Sequence, residues 1–92
     1  MKTIALDQAT YDELMAVTKW YDAMPTDLPN FYAGDRFHEN VFEFRAGTIP
    51  DDALPEEQYL EYFELTEDGL CLVAGMEDGS DGDETYLIVR KD

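Results

Sequence analysis

The chain has 92 residues, of which 22 are Asp or Glu and only six are Lys or Arg, so its formal net charge at pH 7 is −16. That length fits one domain with a modest core. Direct nucleic-acid binding is disfavoured, because nucleic-acid-binding proteins neutralise phosphates with Lys and Arg. The apolar fraction of 45% and aromatic fraction of 13% indicate a folded domain rather than a disordered acidic chain.

The N-terminus predicts no signal peptide, because an acid, Asp7, interrupts it before a long apolar region can form. No apolar run approaches the roughly 20 residues of a membrane span. Cys71 is the single cysteine, so an intramolecular disulfide is impossible, which suits a reducing compartment. We therefore expect a soluble cytoplasmic protein.

The N-terminal third predicts one helix after a short, possibly extended start at residues 2–6. Thr10 and Glu13 match a capping box, and Asp7 is a rival cap that would begin the helix a turn earlier. Pro25 ends the helix in either case. The residues expected on its apolar face are Leu14, Val17, Tyr21 and Met24.

The middle of the chain is predicted to hold two loops around one strand. Residues 25–35 and 47–55 contain the Pro and Gly residues typical of loops. Between them, residues 36–45 set Phe and Val among charged residues, which favours a strand. The alternation changes phase near Asn40, which predicts a β-bulge there.

The C-terminal half predicts a β-hairpin and a final strand. Residues 58–66 are ambiguous, since Pro55 and the two acids after it could open a helix while the Tyr and Phe residues favour a strand. A short turn at 67–69 leads into the apolar run 70–74, which predicts a central strand. A loop at 77–83 precedes a last strand at 85–90. The fold class is therefore α+β: a single domain with one N-terminal helix packed on an antiparallel meander of three to four strands.

Acidic residues dominate the region from position 51 to position 84, which contains no Lys or Arg. The thirteen acids are Asp51, Asp52, Glu56, Glu57, Glu61, Glu64, Glu67, Asp68, Glu77, Asp78, Asp81, Asp83 and Glu84. Solubility needs a net charge of only about 2 to 8 in a small domain, so solubility alone does not explain this excess. Because the same region carries enough apolar residues to fold, we interpret it as a folded acidic surface rather than a tail.

Enzymatic chemistry is not indicated by any pattern in the chain. Ser80 is the only serine and His38 the only histidine, so a serine nucleophile activated by a histidine could only consist of these two residues. Ser80 lies in a turn made of glycines and acids. Cys71 lies between two leucines, with no cation nearby in the sequence to stabilise a reactive thiolate, so we expect a buried apolar residue. Carboxylate pairs occur at every separation, and none is marked for acid–base work. We expect no enzyme and no catalytic residue.

The acidic loop near the C-terminus is a candidate metal site. Asp78, Asp81, Asp83 and Glu84 offer oxygen atoms to Ca²⁺. The EF-hand pattern fails for a loop starting at Glu77, because Gly79 and Ile88 occupy positions that need oxygen ligands. It also fails for a loop starting at Asp81, because Tyr86 occupies the position of the required glycine. The sequence thus predicts no dedicated metal site and no cofactor, and a Ca²⁺-dependent domain is only a third, weaker hypothesis.

The acidic surface itself is the best candidate for function, as the partner-binding site of a protein that imitates nucleic acid. Same-face positions on a strand lie about 6.6 Å apart, comparable to neighbouring phosphates. Carboxylates on turns and adjacent strands would present charge along a line to Arg and Lys of a basic partner. All thirteen acids are expected to act as phosphate mimics, and an ordinary solvated surface is the alternative.

In size, acidity and mixed α/β pattern the chain resembles the small phage-encoded DNA-mimic inhibitors, above all the anti-CRISPR proteins. The resemblance covers the whole chain in style, without a diagnostic motif. It implies a non-enzymatic inhibitor that binds the basic DNA- and PAM-recognition surface of a CRISPR effector and blocks target DNA. A type I complex (Cascade) is favoured over a Cas9-type target. An anti-restriction DNA mimic is an alternative within the same group.

A second hypothesis is an adaptor module that binds a protein partner through exposed aromatic residues, with acidity serving only to steer association. The candidates are Tyr32, Tyr59, Tyr62 and Tyr86, because Tyr is enriched at protein interfaces. The sequence leaves the oligomeric state open, since the sheet face away from the helix could pair with another copy.

Overall fold

A computed structural model of the chain describes residues 2–24 and 35–91. The elements in chain order are strand β1 (Lys2–Leu6), helix α1 (Gln8–Asp22), helix α2 (Asp35–Ala46), and strands β2 (Gln58–Thr66), β3 (Gly69–Met76) and β4 (Glu84–Arg90). The predicted α+β class is confirmed. Most of the predicted loop at 25–35, including Tyr32, lies outside the described residues. No helix in the described ranges is long and apolar enough to cross a membrane.

The four strands form one mixed sheet in the order β1-β4-β3-β2. Strands β2, β3 and β4 are the predicted antiparallel meander. Strand β1 pairs with β4 in parallel, with Ile4 opposite Ile88. The segment that the sequence marked only as a possibly extended start is therefore an edge strand, and the sheet is mixed rather than purely antiparallel.

The hairpin of β2 and β3 resolves the ambiguity of residues 58–66 in favour of a strand. Thr66 pairs with Gly69, so Glu67 and Asp68 form a two-residue turn. Gly69 has φ +127°, a conformation that suits glycine. The Thr66 hydroxyl accepts a hydrogen bond from the backbone N–H of Asp68 at 3.2 Å, which closes the turn. The register shifts between Leu60 and Tyr62, so β2 carries a bulge.

Strand β3 is central and buried on both faces, as its apolar sequence predicted. Leu70, Leu72 and Ala74 face the core that the helices cover. Cys71 and Val73 point to the other face and are 1% and 4% exposed. The predicted loops at 47–55 and 77–83 are confirmed as turns and irregular backbone.

Helix α1 begins one turn earlier than the predicted capping box. Asp7 is its N-cap, without a side-chain capping hydrogen bond, and Thr10 lies inside the first turn, so the capping box is wrong. The core face also differs from the predicted one, because Leu14 and Thr18 are the buried residues of α1. Thr18 is tolerated there since its hydroxyl donates to the Leu14 carbonyl at 2.9 Å. Val17 instead faces α2.

The predicted strand at 36–45 is wrong, and so is its bulge at Asn40, because this segment is α2. Phe37, Val41 and Phe44 are spaced i, i+4 and i+7, which places them on one face of a helix. Phe and Val also have high β-propensity, so their residue types masked that spacing. Packing of this face against α1 decided between the two, as tertiary context routinely overrides local propensity.

Candidate functional site

The thirteen acids of the region 51–84 lie on the surface, twelve of them exposed and Glu84 partly buried. Ten occupy loops and turns, and only Glu61, Glu64 and Glu84 lie within strands. The described strands therefore carry few of the acids, and the predicted line of carboxylates on turns and adjacent strands would consist mainly of turn and loop residues. The outer face of β2 carries Tyr59, Tyr62, Glu64 and Thr66, a set with a single acid.

Seven of these acids gather at one end of the sheet, where β1, β2 and β4 begin and β3 ends. We call this group the Lys2-end cluster. Its members are Glu56, Glu57, Glu77, Asp78, Asp81, Asp83 and Glu84. The turn acids Glu67 and Asp68 lie at the opposite end of β2, about 26 Å away for eight residue steps. Asp51 and Asp52 lie in the loop before β2, where Asp51 lines the same cavity as Glu56. Because Glu67 and Asp68 are at the far end of β2, the acidic region does not form a single patch.

Backbone hydrogen bonds hold the loops of the Lys2-end cluster together. The Glu77 N–H donates to the Glu57 carbonyl at 2.8 Å, so two acidic segments far apart in sequence become neighbours. The Asp78 carboxylate accepts the Ser80 N–H at 2.9 Å, in the manner of an Asx turn. That backbone hydrogen bond lowers the pKa of Asp78. These contacts fix the direction of the loop without neutralising it.

Among the described side chains, one cation enters the cluster, and it comes from β1. The Lys2 Nζ atom lies 2.8 Å from Glu84 Oε1, and its hydrogen bond lowers the pKa of Glu84 and raises that of Lys2. Gln58 donates to the other Glu84 oxygen at 3.4 Å and accepts the Tyr86 hydroxyl. Burial raises the pKa of Tyr86. Glu84 is thus an anchored acid, whereas the other six project into solvent.

The aromatic candidates separate onto two faces of the sheet. Tyr59 and Tyr62 lie on the face opposite the helices and are 42% and 46% exposed. Tyr86 faces the core and is 4% exposed, so it is not available to a partner in this structure. Tyr32 lies outside the described residues.

An apolar groove between the two helices was missed by the sequence analysis. It is lined by Val17, Trp20, Phe37, Asn40, Val41 and Phe44. The sequence does contain an indication of this groove, namely the i, i+4, i+7 spacing of Phe37, Val41 and Phe44. These three residues share one face only if the segment is a helix, so the strand prediction hid them. Trp20 and Phe44 are about half exposed there.

The residues considered for catalysis are dispersed, whereas the four acids considered for Ca²⁺ all lie in the Lys2-end cluster. The described residues contain no group of three or more His, Cys, Asp or Glu arranged to hold a metal ion. Ser80 is in the β3–β4 loop, while His38 is on α2, where its Nδ1 atom hydrogen-bonds the Tyr21 hydroxyl. Cys71 is buried, as predicted from its leucine neighbours.

Comparison of the chain with protein-family models, with curated proteins and with solved structures found no match. The fold and the surfaces described above define a small acidic α+β domain, and its function is argued from them alone.

Proposed function

We propose that this protein is a non-enzymatic inhibitor that acts as a DNA mimic. It binds the basic DNA- and PAM-recognition surface of a bacterial CRISPR effector complex, with a type I complex favoured, and so excludes target DNA. The observation that carries the proposal is the Lys2-end cluster, in which two loops and the start of β4 hold seven acids, with Lys2 as the one paired cation among the described residues. Such an arrangement maintains negative charge at a defined place on a folded surface.

Four cations have described side chains outside this cluster, and two of them, Lys19 and Lys91, are exposed, so the net charge of −16 is only partly offset near them. Arg90 is engaged by Asp12, with its Nη2 atom 3.0 Å from the carboxylate, and lies over the Tyr11 ring. Arg45 is buried. The protein therefore presents a strongly negative potential, which would steer it toward a basic groove at a rate that falls with ionic strength.

Charge-assisted hydrogen bonds provide the recognition chemistry. A complex that grips DNA uses Arg and Lys on phosphates and on the PAM, and Arg can bind a carboxylate through two parallel hydrogen bonds. Crowding of like charges raises the free energy of the unbound protein, and docking on a basic surface relieves that repulsion. Binding and relief of repulsion thus act in the same direction.

The experiment is a competition assay. A purified type I surveillance complex is mixed with fluorescent PAM-containing duplex, and the protein is added at several salt concentrations. We expect displacement of the duplex, with an apparent affinity that falls steeply as salt rises. Conversion of Glu77, Asp78, Asp81 and Asp83 to Lys should abolish displacement while circular dichroism and thermal unfolding show an intact fold.

A matched control separates the position of charge from its amount. Neutralising the same four acids to Gln or Asn raises the net charge by four, and so does the triple variant Glu39→Lys, Ala16→Lys, Ala23→Lys on the exposed helix surfaces. Only the first variant should lose affinity. Equal loss in both would mean that net charge alone acts. No displacement from type I or Cas9-type complexes would overturn the CRISPR proposal, and the same assay with a restriction enzyme tests the anti-restriction alternative.

An adaptor that binds a protein partner through Tyr59 and Tyr62 is the second candidate. Both rings are nearly half exposed on the sheet face that no described helix covers. In that case Tyr62→Ala would weaken partner capture more than the quadruple Lys variant. Capture would also survive high salt, because the binding energy would come from aromatic burial.

A further inference from the structure

We propose that the groove between α1 and α2 is a docking site for a basic amphipathic helix of a partner protein. The groove has a volume of about 300 Å³ and exposes mainly carbon. Trp20 and Phe44 are 51% and 48% exposed at it, which leaves two large rings in water on one small surface. Large exposed apolar patches on a soluble domain mark interaction sites.

The groove is built by rings that already contact one another. Trp20 packs edge-on against Phe37, with ring centroids 6.1 Å apart and an angle of 70° between the planes. This is the preferred geometry of an aromatic pair, and it fixes the two helices beside each other. The groove is therefore formed before a partner arrives, so little reorganisation opposes binding.

Its dimensions suit a helix. Phe37 and Phe44 are seven residues apart on α2, so they span about 10.5 Å, the same distance that separates positions i and i+7 of a docked helix. A partner helix with apolar side chains at i, i+3 or i+4, and i+7 would place these side chains between two rows of groove residues. One row is Val17 and Trp20 of α1, and the other is Phe37, Val41 and Phe44 of α2. This is the helix-in-groove mode of peptide recognition.

Charge at the rim selects a basic helix over a neutral one. Glu13 lies one turn before Val17 on the same stripe of α1, and Glu43 lies one turn after Asn40 on α2, and both are exposed. Lys19 is turned about 160° from Val17 and about 100° from Trp20, so it lies off the stripe of α1 that lines the groove. Among the described side chains the rim is thus acidic. With the net charge of −16, it also disfavours a second copy of this chain as the occupant.

The groove is distinct from the proposed DNA-mimic surface, because none of the thirteen acids of the region 51–84 lines it. The inference therefore stands or fails independently of the proposed function. If the DNA-mimic function and the groove proposal are both correct, one partner can bind at two places. Binding at the acidic loops would depend on salt, and binding at the groove would come from apolar burial.

Trp20 is the single tryptophan of the chain, so its fluorescence reports on the groove directly. The probe is a capped peptide of about 15 residues made of Leu and Lys, with Leu at helical spacing and no aromatic residue. The control peptide has the same composition with the Leu positions scrambled. We expect only the first peptide to shift Trp20 emission to the blue and to protect it from acrylamide, a neutral quencher that the acidic protein does not repel.

Variants test the site without endangering the fold. Phe44→Ser removes an exposed ring and should weaken peptide binding at least about ten-fold, as loss of an aromatic anchor does. Glu13→Lys with Glu43→Lys should weaken it through charge alone. Tyr62→Ser, an equally exposed ring on the sheet, is the matched control and should bind as the parent does.

Four outcomes would overturn the proposal. The first is an equal effect of the helical and the scrambled peptide on Trp20 fluorescence, and the second is no spectral change with either peptide. The third is Trp20 emission that is already blue-shifted and shielded from the quencher in the free monomer. The fourth is a dimer whose dissociation on dilution exposes Trp20, since a second copy would then be the occupant.

Discussion

Lys2 and Glu84 form an ion pair, with 2.8 Å between the ammonium nitrogen and Oε1, across the junction of the first and last strands. The two residues are almost the whole chain apart in sequence, and the parallel pairing of β1 with β4 brings them together. This contact gives the Lys2-end cluster its only cation among the described residues.

Replacing Lys2 with Gln should raise the pKa of Glu84 toward its ordinary 4.5. In the parent, Glu84 titrates lower when folded, so the ion pair stabilises the fold above that ordinary value and is lost as pH falls through the folded pKa. Lys2 titrates above 10.5 when folded, so the same contribution is lost again as pH rises through its folded pKa. The difference in unfolding free energy between parent and variant should therefore be flat near neutrality and shrink in acid and in strong base.

The measurement is urea unfolding across pH together with a carbon-detected NMR titration of Glu84. Lys19→Gln is the control, because Lys19 is exposed on α1 and removes the same charge without an ion pair among the described residues. If Lys2→Gln left the Glu84 titration unchanged, the ion pair would not form in solution.

Gly75 should tolerate alanine only when Tyr59 is also changed. A Cβ atom at Gly75 would lie 2.8 Å from the end of the Tyr59 ring, so the ring covers the glycine and must swing away. We expect Gly75→Ala to cost about 1 kcal/mol. In a Tyr59→Ser background the same change should be neutral or stabilising, since Ala suits a strand better than Gly.

A double-mutant cycle followed by urea unfolding gives this coupling directly. Additive effects of the two substitutions would show that the ring does not cover Gly75. Gly47→Ala is the comparison for a glycine outside the sheet, because a Cβ atom there would meet only backbone oxygens at 3.4 and 3.5 Å.

Arg45 should be replaced by Met with less loss of stability than by Lys. Its guanidinium is buried, 5.2 Å from the Tyr21 ring centroid and 5.0 Å from that of Phe63, and burial lowers its pKa. Met keeps the length and apolar packing without a desolvated charge, and we expect a change within about 1 kcal/mol. Lys loses the planar stacking and buries a strongly hydrated ammonium, and should cost about 2 kcal/mol.

Urea unfolding of both variants tests this order of stability. Lys19→Met, at an exposed position, should stay within about 0.5 kcal/mol of the parent. Greater stability of Arg45→Lys than of Arg45→Met would mean that the charge itself, rather than packing and planarity, stabilises this position.

Cys71 should react with a thiol reagent only when the sheet opens. Its side chain is 1% exposed in the central strand, where the Thr66 hydroxyl lies 3.7 Å from the sulfur. We expect maleimide labelling to be slow in the native protein and fast in urea. Leu14→Ala, which empties a fully buried site and costs about 2 kcal/mol or more, should accelerate native labelling roughly thirty-fold.

The neutral maleimide avoids repulsion by the acidic surface, and Val17→Ala on the groove side of α1 is a milder comparison. Labelling of the folded parent at the rate of the unfolded chain would contradict the burial of Cys71.

The turn and the second strand of the hairpin at 58–76 were predictable because their determinants are local. The turn residues 67–69 and the apolar run after them favour a hairpin, whereas the sequence left residues 58–66 open between a helix and a strand. Helix α2 was not predictable by the same means. Phe37, Val41 and Phe44 satisfy a helical spacing, yet their residue types favour a strand, and only packing against α1 separates the two.

The sequence by itself determined an acidic α+β chain with a central apolar strand, because composition and short-range patterns specify these properties. Only the tertiary structure decided which acids lie together, that Lys2 joins them, and that Trp20 and Phe44 border one groove. Each of these depends on contacts between residues distant in the chain, such as Lys2 with Tyr86 in the β1–β4 pair. Such contacts carry an entropic cost of loop closure and form only when the whole sheet and its core stabilise them together.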